Sequence, residues 1–178
     1  ISADLNDKIL TNTDLNLFSL YIWQKQTSKL MFGSYPFPGN LLENNTIEFI
    51  RVYVKPGKSK KYPKYVKQNE KLKKYEWIDL IQQIWFMIPE DINRKKAHPA
   101  PFPEKLPARL MRMFSCGSIN SFKGDIILDP FVGTGTTCVV AKKMNRRFIG
   151  IDISAKYIEH ARSRMSRIKE NQFTNILV

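Results

Sequence analysis

The sequence predicts an α/β protein built on a parallel sheet, and three observations carry that prediction. Short apolar runs alternate with amphipathic segments through the last third of the chain. A glycine turn falls where a strand gives way to a helix, and an acidic residue closes the strand that follows. With 178 residues, 43% of them hydrophobic, the chain is long enough to bury a core of its own.

Taken in order, residues 17–25 (LFSLYIWQK) and 46–55 (TIEFIRVYVK) are rich in aromatic and β-branched side chains. They are predicted strands that pair antiparallel. Between them GSYPFPGN, residues 33–40, holds two prolines and two glycines, which makes an irregular connection rather than a tight hairpin. In residues 77–88 (WIDLIQQIWFMI), Trp77, Leu80, Ile81 and Ile84 have helical spacing, yet IWFMI reads equally as a short buried strand. The tryptophans are expected to pack rather than to recognise a ligand. The prolines of HPAPFP, from His98, exclude helix; a helix follows from about Glu104, with Leu106, Leu110, Met113 and Phe114 on one face. Residues 125–129 (DIILD) are a short buried strand, 135–145 a helix, and 147–152 (RFIGID) a second strand. Residues 154–169 form a last helix that turns Ile158, Ala161, Met165 and Ile168 inward.

Charge narrows the partners. There are 29 Lys and Arg against 16 Asp and Glu, a net charge of +13, which favours a polyanion and puts nucleic acid first. The surplus is concentrated in residues 55–74. Nine lysines stand there against one acid, Glu70, with Tyr62, Tyr65 and Tyr75 interleaved. Composition leaves both a phosphate-binding surface and a solvated lysine loop open. Cys116 and Cys138 form no CxxC pair, so neither a structural metal site nor a disulfide framework is expected, in keeping with a cytoplasmic protein. There is no export signal and no apolar run near the roughly 18 residues of a spanning helix, so no membrane is expected.

The chemistry is concentrated in DPFVGTGTT, residues 129–137. Gly133 and Gly135 permit a tight turn and close approach of a ligand. The following helix points its free N–H groups and positive dipole end at the turn, where the hydroxyls of Thr136 and Thr137 add donors for a carboxylate or phosphate. Seventeen residues beyond Gly135, Asp152 closes the next strand, where an acid accepts both hydroxyls of a ribose. Together these describe a site for a nucleoside bearing a small anion. A dinucleotide would call for GxGxxG, but the third glycine position is Cys138. S-adenosylmethionine has a single carboxylate to place, and Asp129 suits its ammonium or sulfonium charge.

DPFVGTGTT followed by RFIGIDIS, with HPAPFPEKLP some thirty residues upstream, resembles the DNA amino-methyltransferases that modify the exocyclic amino group of cytosine or adenine. The order resembles their circularly permuted beta group, in which the cofactor half follows the target-recognition region. The likeness runs from about Ile22 to Arg164 and takes in IWQK, GSYPFP and EFIRVYVK. It implies a Rossmann-like S-adenosylmethionine-dependent methyltransferase sheet with helices on both faces, plus a basic target-recognition insertion. Residues 1–54 and 97–178 would form the core, the latter as the cofactor half, and 55–96 the recognition region. Phe131, Gly133, Gly135, Thr136 and Thr137 would line the cofactor, Asp152 hold its ribose, and Asp129 face its methionine end. His98, Pro99 and Phe102 would close over it, with Ile153 and Ser154 beside the adenine. Lys58, Lys60, Lys61, Lys64 and Lys67 would contact double-stranded DNA. A homodimer and a cognate restriction endonuclease are further partners the family brings into consideration.

The resemblance also implies direct in-line transfer to the amino nitrogen of a flipped-out base, assisted by a loop of Asp, Ser or Asn followed by Pro-Pro and an aromatic. No such sequence occurs in the 178 residues. Ser34-Tyr35-Pro36-Phe37 comes within one residue of the pattern, but the family places its catalytic loop upstream of this region. That loop is therefore expected N-terminal to Ile1, with the catalytic residues unknown. HPAPFP and GSYPFP incline the expectation toward cytosine. A DNA-binding or specificity module that keeps the cofactor fold without chemistry is the alternative.

Overall fold

The computed structural model describes residues 2–25, 33–41, 45–89 and 102–168. The chain divides into two compact units: Ile1–Lys61 with Ile81–Ile88, and Tyr62–Leu80 with Pro89–Val178.

In the first unit, helix α1 (Ser2–Asn12), which the sequence reading missed, precedes β1 (Asn16–Lys25). β1 pairs antiparallel with β2 (Ile47–Val54), as expected, and its other edge takes β3 (Ile84–Met87) in parallel. The resulting order is β2-β1-β3. Successive strand residues face opposite sides, and one side carries the buried Tyr21, Trp23, Trp85 and Met87. Tyr21 stacks on Trp85 with ring centroids 4.5 Å apart, and Trp23 Nε1 donates to the Met87 carbonyl at 2.9 Å. A buried indole N–H needs such a partner.

The ambiguity over residues 77–88 resolves into both alternatives, because α3 (Lys74–Leu80) ends before β3 begins. One helical stripe therefore never runs from Trp77 to Ile84. Leu80 is buried, while Ile81 and Ile84 are exposed. The expectation that the tryptophans pack holds for Trp85, 2% exposed, and fails for Trp77, 58% exposed.

The second unit contains α2 (Lys64–Asn69), α3, α4 (Lys105–Phe114), β4 (Ile126–Asp129), α5 (Thr136–Lys143), β5 (Arg147–Gly150) and α6 (Ala155–Ser166). β4 and β5 are parallel, Leu128 beside Ile149 and Asp129 beside Gly150, so the α/β class stands. Its core joins Ala108 and Met111 of α4 to Val140, Ala141 and Met144, with Ile127 and Phe148 packed against them from the sheet.

Two expectations are corrected here. α4 buries Pro107, Ala108, Arg109 and Met111 rather than the stripe through Leu106, Leu110, Met113 and Phe114. The small Ala108 admits the close approach of α5, and the Arg109 guanidinium is drawn to Asp79, whose carboxylate and carbonyl it bonds. β4 is not a buried strand. Ile127 faces the core, but Ile126 and Leu128 are 51% and 60% exposed, as Ile149 of β5 is 50% exposed, because nothing among the described residues covers that side of the pair.

Candidate functional site

The loops that leave β4 and β5 run side by side, since Val132 N donates to the Ile151 carbonyl and Ile151 N to the Asp129 carbonyl, each at 2.9 Å. Between them lies the glycine turn. Gly133 (φ 51°) and Gly135 (φ 88°) both adopt left-handed backbone, and Gly135 caps α5. A Cβ on Gly135 would lie 2.7 Å from the Ala161 Cβ of α6, so both conformation and packing require glycine there. Cys138, the position that disfavoured a dinucleotide, meets Gly150: a Cβ on that glycine would come within 2.8 Å of the Cys138 Sγ. The room for close helix–strand packing is supplied from the strand, not from the helix. Burial, with the charge of Asp129 second, pushes the Cys138 thiol up to about 11.

Asp152 organises the turn. Its Oδ2 accepts from Gly133 N at 2.9 Å and its Oδ1 from Ser154 N at 2.8 Å. Each oxygen keeps a second lone-pair direction, so the carboxylate can still receive two hydroxyls. Asp129 Oδ1 accepts from Phe131 N at 3.0 Å. Phe131, 86% exposed, and Ile153, at 105%, present apolar surface on the loops that flank the turn. Ser154 caps α6, accepting from Tyr157 N.

The two threonines separate. Thr136 is buried, and its hydroxyl accepts from Arg164 Nη1 at 3.1 Å; the same nitrogen donates to the Thr134 carbonyl at 2.9 Å. Thr136 therefore offers a ligand its backbone N–H in the first turn of α5, while Thr137 is the threonine whose hydroxyl bonds nothing among the described residues. Arg164 also reaches Glu104 at 3.6 Å, and Glu104 pairs with Lys143. This brace behind the turn was not foreseen. An available signal was an arginine in α6 three residues from the inward-facing Ala161, which implies a half-buried cation that must find oxygen partners.

Phe102 is half-buried, whereas His98 and Pro99 lie outside the described residues. Lys58, Lys60, Lys61, Lys64 and Lys67 are all exposed. Two of the interleaved tyrosines are anchors. The Tyr62 hydroxyl donates to Asp125 at 2.8 Å and its ring meets Phe122 edge-on; the Tyr65 hydroxyl lies 2.9 Å from Ser121 Oγ. Burial, reinforced by Asp125, raises the Tyr62 phenol. Tyr75 is 66% exposed. Glu70, the single acid of the stretch, accepts from Gly117 N at 2.6 Å, Arg112 at 2.7 Å and Arg146 at 3.1 Å. Ser34 and its neighbours belong to the first unit, where the Ser34 hydroxyl donates to the Phe37 carbonyl at 2.7 Å while Tyr35 and Phe37 stay exposed.

A parallel strand pair, a glycine turn opening a helix and a carboxylate at the end of the next strand define a nucleoside-binding α/β domain of the methyltransferase kind. The sequence matches the DNA methylase family of the N6/N4 type over residues 3–163, and the chain belongs to that family. It is 36% identical over 145 residues to the type II methyltransferase M.MjaI of Methanocaldococcus jannaschii, covering 74% of this chain and 43% of that protein. Likewise it is 33% identical over 164 residues to M.BglI of Bacillus subtilis, covering 89% and 41%. The chain thus spans about two fifths of the length of these relatives. Among solved structures it is similar to TTHA0409 of Thermus thermophilus, assigned as a DNA modification methylase. For its complex with S-adenosyl-L-methionine the TM-score is 0.71 at 31% identity, over 93% of this chain and 59% of that one. The PvuII cytosine-N4-specific DNA methyltransferase shares the fold, with a TM-score of 0.63 at 17% identity.

Proposed function

We propose that this chain is the cofactor-binding and DNA-contacting part of an S-adenosylmethionine-dependent enzyme that methylates an exocyclic amino group in double-stranded DNA, cytosine in preference to adenine, within a restriction-modification system. The observation that carries the reading is the Asp152-braced glycine turn at the head of α5. Family membership and the type II methyltransferases among its relatives support it. The resemblance assigns His98, Pro99 and Phe102 to the cofactor, of which Phe102 is among the described residues, and the exposed lysines of residues 58–67 take the DNA backbone.

The residues fit the cofactor. The first-turn N–H groups of α5 and the Thr137 hydroxyl receive its carboxylate, and Asp129 faces its ammonium end. Asp152 would accept the ribose hydroxyls, Ile153 and Ser154 would lie beside the adenine, and Phe131 would add apolar lining to the cofactor site. When bound, S-adenosylmethionine supplies an electrophilic methyl carbon; the part of this chain is to hold that carbon in line with the incoming amino nitrogen.

Titration calorimetry with S-adenosylhomocysteine tests the site. The chain is expected to bind, and Asp152→Asn to weaken binding at least about ten-fold, ~1.4 kcal/mol. Absence of binding even with the full-length protein would sink the reading. Transfer of labelled methyl to duplex DNA by the full-length protein is the expected second result. A binding module without chemistry is the other reading; cofactor binding with no transfer by the full-length protein would establish it.

A further inference from the structure

At the end of the β4–β5 pair opposite the glycine turn there is an open pocket of about 710 Å³. Arg147, which opens β5, lines it, whereas Asp152 lies five residues along the chain, roughly 15 Å away for extended backbone. The pocket is therefore separate from the cofactor turn. Among the described residues twelve line it, five of them cations, Lys123, Lys142, Arg146, Arg147 and Arg162, and none an acid.

Structural duties account for part of this charge. Arg146 is spent on Glu70 and two carbonyls, Arg147 donates to the Gly124 carbonyl at 3.1 and 3.2 Å, and Lys142 reaches the Met165 carbonyl at 3.1 Å. A carbonyl satisfies a donor but does not neutralise a charge. Lys123 and Arg162 are exposed and make no hydrogen bond or ion pair among the described residues. Four cations thus face one pocket with no carboxylate among the described lining residues, an arrangement that repels itself until a polyanion enters.

The pocket adjoins α2, the part of the lysine-rich stretch that lies in the second unit. Its rim is the hairpin closed by Ile119 and Phe122, and Ser121 of that hairpin meets Tyr65 on α2, the helix that carries the exposed Lys64 and Lys67. The side-chain amide of Asn120 adds a neutral donor suited to phosphate oxygens. The sole aromatic lining residue, Phe148, packs into the core, so the pocket has no stacking platform for unpaired bases.

We propose that this pocket is a second contact for the phosphate backbone of duplex DNA, sequence-independent and adjoining the lysines of α2. It rests on the DNA-methylating reading above. The test measures binding of a random-sequence duplex by the full-length protein as salt is varied, for the parent, for K123Q/R162Q, for the charge-keeping K123R/R162K and for K64Q/K67Q. Loss of two phosphate contacts is expected to lower the slope of log affinity against log salt by about 2 and to weaken binding roughly ten-fold near 0.15 M salt. K123R/R162K should behave as the parent, and affinity for S-adenosylhomocysteine should be unchanged throughout. If the parent binds duplex and K64Q/K67Q weakens it while K123Q/R162Q leaves slope and affinity intact, the inference falls and the DNA reading stands. A parent that binds no duplex overturns both. Loss of inorganic phosphate binding in K123Q/R162Q, with duplex binding unaltered, also overturns the proposal.

Discussion

Arg164 ties four oxygens together from behind the glycine turn, the carbonyl and hydroxyl of Thr134, the hydroxyl of Thr136 and a carboxylate oxygen of Glu104, without being placed to touch a ligand. Removing it frees the turn to relax while leaving every predicted ligand contact in the chain. Arg164→Met is expected to raise the dissociation constant for S-adenosylhomocysteine about ten-fold, and Arg164→Lys to recover part of that, because an ammonium keeps the charge but lacks the planar fork that spans these oxygens. Calorimetry on the pair decides it, and equal affinity in Met and parent would remove Arg164 from the site. Gly135 is constrained more severely. Gly135→Ala must hold alanine at φ 88° and seat a methyl 2.7 Å from Ala161, so a loss of at least about 2 kcal/mol is expected in denaturant unfolding. The glycines and Asp152 were legible in the sequence because each sits at a fixed offset from a strand end. The half-burial of Arg164 follows from its spacing to Ala161, but its partner Glu104 was not legible, because the meeting of α6 with the entry of α4 is a long-range contact.

Elements show how a stretch that looks like loop becomes ordered. The lysine-rich segment reads as irregular by composition, yet Glu70 at the end of α2 sits only 13% exposed between Arg112 and the almost fully buried Arg146. Burial alone would lower the Arg146 pKa, and Glu70 is the chief group that opposes the shift. Glu70→Ala leaves the buried Arg146 without its carboxylate and Arg112 with only the longer 3.7 Å pairing to Glu76, and is expected to cost about 3–5 kcal/mol, with Glu70→Gln costing less. An unfolding midpoint unchanged in both variants would show the network to be dispensable. The packing of α5 on β5 has a pH signature. Cys138 loses its proton near 9.0 when unfolded and at about 11 when folded. Its contribution is complete below the lower value and is lost as pH rises through the higher one, and Tyr62 acts in the same direction. Stability should therefore fall between about pH 9 and 11, and Cys138→Ala should flatten that fall in urea titrations.

At the scale of the whole molecule, the parallel pair has one satisfied face and, among the described residues, one bare face. Ile127 and Phe148 meet α4 and α5, while Ile126, Leu128, Ile149 and Ile151 are each at least half exposed. Contiguous apolar surface of this kind drives association in water. The 178-residue chain is expected to self-associate with rising concentration and to bind a hydrophobic dye. Leu128→Lys with Ile149→Lys should suppress both, as read by sedimentation velocity. A parent chain monomeric at high concentration would count against it.

The sequence by itself determined the α/β class, the antiparallel pairing of β1 with β2, the turn at Gly133 and Gly135, and the acid at Asp152. These follow from local periodicity and from residue types with few conformational alternatives. Only the tertiary structure decided which face of α4 is buried, that residues 77–88 change from helix to strand, and that Tyr62 and Tyr65 anchor rather than stack. It alone placed the glycine that accommodates Cys138 on β5 and gathered the cations of the second pocket from three separate segments. Each of these depends on what a side chain meets across the fold, and a linear pattern carries the residue but not its neighbour.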